Sequence, residues 1–147
     1  MGVGCPFITC AIKKKKLEFC WECAGSGTCT NWQRHRESGR VKDSFVCYQK
    51  LEDNIAFIQR HGVGAFENMQ KAREQLLSEM LKSFNEGRSK RFYSIAATVL
   101  EIEQLEAALN KAKKDSTGLD IKGRSKVLHN ILNKIATKNK YFLSLRK

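Results

Sequence analysis

"GAFENMQKAREQLLSEMLKSF", residues 64–84, decides the fold class. Phe66, Met69, Leu76, Leu77, Met80, Leu81 and Phe84 recur at helical spacing and draw one apolar stripe along a long amphipathic helix. Arg73 interrupts that stripe. The two methionines belong to it and need no cofactor to explain them.

The same texture extends on both sides. Upstream, "VKDSFVCYQKLEDNIAFIQRHG" (residues 41–62) places Phe45, Tyr48, Leu51, Ile55 and Ile58 at helical spacing, with Cys47 among apolar neighbours as a buried structural thiol. His61, Gly62 and Gly64 mark the end of that helix and a tight turn. Downstream, "SKRFYSIAATVLEIEQLEAALNKAKK" (residues 89–114) reads as one helix through Phe92, Ile95, Val99, Ile102 and Leu109. A further helix over 122–138 uses Val127, Leu128, Ile131, Leu132 and Ile135. The basic tail "KYFLSLRK" docks through Tyr141, Phe142 and Leu145 or adds one short strand. The expected fold is mainly α: three to four antiparallel helices with short connections, and a cysteine-rich, metal-stabilised segment at the N-terminal end. Residues 1–40 form that segment and 41–147 the helical body, folding together as one cooperative unit.

Length and charge bound the function. A chain of 147 residues suits one domain or a small domain with a satellite. No apolar run approaches the ~20 residues of a membrane span, and the N-terminus lacks the charge order of a signal peptide, so a cytoplasmic protein without membrane contact is expected. The formal charge is +12, and from residue 111 onward eleven Lys or Arg stand against two Asp. Such a field attracts nucleic acid or an acidic protein surface, or simply solvates one face. The partner expected is therefore a macromolecule, protein or nucleic acid. The oligomeric state is not legible in the sequence.

Five of the six cysteines crowd the start of the chain: Cys5, Cys10, Cys20, Cys23 and Cys29. Cys20-Trp21-Glu22-Cys23 is a turn that aims two sulfurs at one centre, as a tetrahedral zinc site requires. Cys5 and Cys10 supply a second pair, Cys29 substitutes for either, and His35 is a weaker donor. A closed thiolate set leaves no coordination position for substrate, so Zn2+ would be structural. Competing readings are an iron–sulfur cluster, a thioredoxin-like dithiol and a disulfide framework. The lysines at 13–16 read as a wet loop face.

The stretch "CPFITCAIKKKKLEFCWECAGSGTCTNW" (residues 5–32) resembles a family of small, uncharacterised cysteine-rich proteins of bacteria and archaea, a domain of unknown function. The resemblance continues through "SFNEGRSKRFYSIAATVLEIEQLEAAL" (residues 83–109). It implies metal binding and supplies no reaction. It also implies a further cysteine-rich stretch upstream, which this chain does not include.

No motif announces an enzyme. His35, His61 and His129 are scattered, and there is neither a His-Glu-x-x-His pattern nor a phosphate loop of the Walker type. The sequence therefore leans away from catalysis. One repeat remains: Gly-Arg-Ser-Lys occurs at 87–90 and again at 123–126. Both copies read as helix starts, glycine for the turn and Ser89 or Ser125 as the cap. The cations do not fit that role, because a helix N-terminus favours anions. Arg88, Ser89, Lys90, Arg91, Arg124, Ser125 and Lys126 are thus candidate contacts for an anion or nucleic acid.

Overall fold

The computed structural model describes residues 7–147. The chain falls into two compact units divided between Val41 and Lys42.

The first unit contains a π-helical stretch at Ile8–Lys14, single 3-10 turns at Cys20–Glu22 and Ser26–Thr28, and helix α1 at Thr30–Val41. Its described residues hold together through rings. Phe7 meets Trp32 edge-on at 6.0 Å and His35 at 5.3 Å, and Trp32 stacks on His35 at 5.8 Å. Phe19 stacks on Trp21 at 4.4 Å. Gln33 Nε2 ties α1 back to the Gly27 carbonyl at 2.6 Å. The expectation of a metal-stabilised segment is not upheld. Among the described residues no group of three or more His, Cys, Asp or Glu is placed to hold a metal ion, and aromatic contact takes that role.

The second unit contains α2 (Leu51–Phe84), α3 (Lys90–Val99), α4 (Ile102–Asp115) and α5 (Ile121–Lys138). Helix α2 packs on α3, α4 and α5, and α4 packs on α5. Their apolar stripes meet around Met80, Phe84, Tyr93, Leu100, Leu105, Leu128 and Leu132, all fully buried.

The count of three to four helices is corrected. The described residues form five α-helices, and α2 is itself broken at Gly62 (φ 81°, ψ 166°), giving six helical rods. Three departures from the sequence reading account for the difference. Residues 42–50 are not helical, and Phe45 is 90% exposed rather than part of a stripe. The Asp43 carboxylate holds this segment in another shape by accepting from the Tyr48 N–H at 2.7 Å and from Arg146. At Gly62 the chain turns without leaving α2 for a loop, in a backbone region that only glycine enters readily. The single helix expected over 89–114 is cut between Val99 and Ile102, where Leu100 and Glu101 are extended.

Arg73 explains the last break. Its guanidinium is buried and donates through Nη1 to the Ala97 carbonyl at 2.7 Å and to the Leu100 carbonyl. Those are carbonyls that the end of α3 leaves open, so Arg73 is the C-terminal cap of that helix. The basic tail forms no strand. The Gln49 side chain exchanges two hydrogen bonds with the backbone of Phe142, and the Arg146 guanidinium pairs with Asp43.

Candidate anion-binding cleft

The two Gly-Arg-Ser-Lys copies meet. Ser89 Oγ and Ser125 Oγ lie 3.2 Å apart, and each donates to the same oxygen, Glu86 Oε2, at 2.6 Å. Both serines are buried, at 2% and 4% exposure. His129 Nε2 lies 2.7 Å from Ser89 Oγ, and the Tyr93 hydroxyl lies 3.1 Å from Ser125 Oγ.

Local structure sets this up. After α2, the Asn85 side chain accepts from the Gly87 and Ser89 N–H groups, and Gly87 takes a positive φ of 102°. That turn brings Glu86 back over the start of α3. Ser89 stands at the N-cap position of α3, but its hydroxyl makes no cap and faces Glu86 instead. In the second copy the capping expectation fails outright. Asp120 caps α5 by accepting from the Gly123 N–H at 2.8 Å, and Ser125 lies within the helix. Gly123 is packed against Leu119 and Asp120 and is not a turn residue.

Proton accounting fixes the roles. A hydroxyl has one proton. Two short hydrogen bonds from Ser125 and Ser89 hold the Glu86 carboxyl down at about 2, so it is ionised and accepts both hydroxyl protons. Ser89 then has no proton for His129, and the Nε2–H of the imidazole donates to Ser89. Burial keeps that imidazole below its ordinary range, hence neutral, against the opposing pull of Glu86. Phe92 stacks on the same ring at 3.8 Å and fixes its plane. Tyr93 gives its proton to the Phe84 carbonyl at 3.0 Å. In this arrangement His129 faces Ser89 as a donor.

Around this network opens a cleft of about 670 Å³ lined by Glu86, Arg88, Lys122, Lys126, Asn130 and Asn133, with Ser89, Ser125 and His129 at its wall. Arg88, Lys122 and Lys126 are exposed and form no ion pair among the described residues. The cleft thus carries three cations against one carboxylate.

Of the candidate contacts, the structure brings together Arg88, Ser89, Ser125 and Lys126. Lys90 and Arg91 point to a different groove, with Phe45 and Ile95. The Arg124 guanidinium lies over the Phe84 ring at 5.3 Å. Within the second unit these cations stand in separate places, and the reading of them as one nucleic-acid surface is not upheld. Glu86, Lys122, Asn130 and Asn133 were missed from the sequence. Lys122, Asn130 and Asn133 share a helix with Lys126 at three- and four-residue spacings, so the helical period was the available signal.

The cysteines do not form the expected metal site among the described residues. Cys5 lies outside the described residues. Cys10, Cys20, Cys23 and Cys29 border one small apolar pocket with Trp32, yet no three of them are placed to hold zinc or an iron–sulfur cluster. Cys10 is exposed, and Cys23 Sγ accepts from Lys15 Nζ at 2.8 Å. That bond, helped by the Gly25 N–H, holds the Cys23 thiol below its ordinary range. Cys10, Cys23, Cys29 and Cys47 are free thiols, and the iron–sulfur and redox readings find no support among the described residues. Cys47 is half-buried and accepts from Gln49 Nε2. His35 is taken up in the ring cluster with Phe7 and Trp32.

No helix among the described residues is long and apolar enough to cross a membrane. Comparisons of this chain with family models, with curated proteins and with solved structures find no match, so the resemblance to a cysteine-rich family is not upheld.

Proposed function

We propose that the second unit binds a small anion, a phosphate- or carboxylate-bearing metabolite, in the cleft between the starts of α3 and α5. One observation carries this reading. One copy of the repeat delivers Arg88 and Ser89 and the other Ser125 and Lys126 to one place, and the cleft's three cations, Arg88, Lys122 and Lys126, form no ion pair among the described residues. The volume lies within the range of small-ligand sites. Asn130 and Asn133 add neutral amide donors and acceptors beside the charges.

Glu86 supplies a built-in competitor. Its carboxylate holds the two buried hydroxyls that an incoming anion would use. Ligand binding on this reading exchanges one carboxylate for another anion at the same donors. The role is binding rather than catalysis, because in this arrangement His129 faces Ser89 as a donor. A cytoplasmic setting goes with the same proposal, since a reducing compartment suits the free thiols of Cys10, Cys23, Cys29 and Cys47.

Titration calorimetry with inorganic phosphate and with citrate tests the site. Arg88→Ala combined with Lys126→Ala removes two of three cations and should weaken binding at least about tenfold, the effect of losing charge-assisted hydrogen bonds. Both residues are exposed, so the melting temperature should hold. Equal affinity in the double variant, or no binding by the parent chain at millimolar anion, would overturn the proposal.

A further inference from the structure

A second opening, about 750 Å³, lies wholly within the second unit, between residues 42–50, α3 and the C-terminal tail. Its walls are Phe45, Val46, Ile95 and Leu145, with Lys90 and Arg91 on the rim. Phe45 is 90% exposed and Val46 43%, an arrangement that leaves apolar surface in water beside a groove. The hydroxyls of Ser94 and Thr98 in the same lining are turned to the carbonyls of Lys90 and Ser94 in their own helix, so they offer little to a polar ligand.

The charges say what kind of partner fits. Lys90 and Arg91 stand in the first turn of α3, which has no acidic residue, and neither forms an ion pair among the described residues. Cations there oppose the helix field, and an acidic partner turns that cost into attraction. We infer that this groove docks a peptide segment of another protein that carries acidic residues beside apolar ones. Its apolar side chains would cover Phe45 and Val46, and its carboxylates would meet Lys90 and Arg91. A protein segment is favoured over single-stranded nucleic acid because the remaining walls are aliphatic. Stacking platforms use several aromatic faces, and Phe45 is the one aromatic residue lining this groove among the described residues. The groove is separate from the Ser89–Ser125 cleft and its occupant does not depend on that site.

The test uses the full chain and a fluorescein-labelled helical peptide of Glu and Leu, about 16 residues long with leucines spaced three and four apart. One control carries Lys for every Glu, and another carries Ser for every Leu. Fluorescence anisotropy should show saturable binding of the Glu–Leu peptide alone. Phe45→Ser and the pair Lys90→Glu with Arg91→Glu should each weaken it at least about tenfold, as central anchors do. These side chains are exposed, so unchanged thermal melts are expected and separate loss of binding from loss of fold. Undiminished binding in both variants would overturn the inference. So would equal binding of the Lys–Leu control or no binding of the Glu–Leu peptide. A uridine-rich RNA bound through Phe45 in its place would reassign the groove to nucleic acid. A parent dimer that Phe45→Ser converts to monomer in sedimentation would reassign it to a second copy of the chain.

Discussion

Arg73 carries a full charge at 5% exposure, and its worth lies in the carbonyls it satisfies. It donates to Ala97 and Leu100 and lies 3.7 Å from the Glu101 carboxylate. Arg73→Met keeps the bulk but strands those carbonyls, so chemical denaturation should show a loss of about 3 kcal/mol. A change within about 0.5 kcal/mol would mean that the cap is dispensable. Glu86 makes a pH prediction. Its folded carboxyl titrates at about 2, below the unfolded value near 4. Its contribution is therefore present above pH 4 and is lost as pH falls through 2. His129, lowered by burial, adds a loss that begins below its unfolded value near 6.5. In Glu86→Gln the acid limb of stability between pH 4 and 2 should become shallower, with Asp43 supplying the rest, while an unaltered limb would exclude Glu86 as a source. Part of this site was legible: the repeated letters marked Ser89, Ser125, Arg88 and Lys126. Their convergence was not, because nothing local tells that residues 36 apart in the chain share one carboxylate. The capping role assigned to Ser125 failed because Asp120, further upstream, takes the cap first.

At the level of elements, apolar period read the helices well and their ends poorly. The stripes on α2 and α5 were visible as spacing, and residues 121–138 came out within one residue of the helix that forms. The break between α3 and α4 was invisible. No glycine or proline stands there, and the interruption is made by a side chain arriving from α2. Residues 42–50 failed for a related reason. Their apolar spacing is helical, but Asp43 is committed to Tyr48 and to the distant Arg146. At Gly62 the conformation itself is testable. An added Cβ would meet nothing within 4 Å, so any penalty is backbone alone. Gly62→Ala should cost about 1–3 kcal/mol, the range for a non-glycine residue in that region. A stabilised variant with raised helicity by circular dichroism would show that α2 prefers to run straight.

Across the molecule, the second unit closes on itself where its first and last residues meet. Asp43, fully buried at its side chain, pairs with Arg146 at 3.0 Å. Burial alone would raise the Asp43 carboxyl; the Arg146 guanidinium and the N–H groups of Tyr48 and Arg146 outweigh it and leave it at about 2. The clamp thus weakens as pH falls from about 4 through 2. Arg146→Ala strands a buried carboxylate and should cost about 3–5 kcal/mol, read by denaturant titration at neutral pH. A loss below about 1 kcal/mol would make the tail a passenger. In the first unit, cysteine spacing pointed to a metal, whereas the described side chains rely on Phe7, Trp32 and His35. Spacing alone does not reveal that Lys15 already holds Cys23. The central claim is that the Ser89–Ser125 cleft binds an anion in competition with Glu86, and phosphate titration of the parent chain against Glu86→Gln tests it most directly. Neutralising the competitor should tighten phosphate binding by about tenfold, the equivalent of about 1.4 kcal/mol. Binding that is unchanged or weaker in Glu86→Gln would contradict the account.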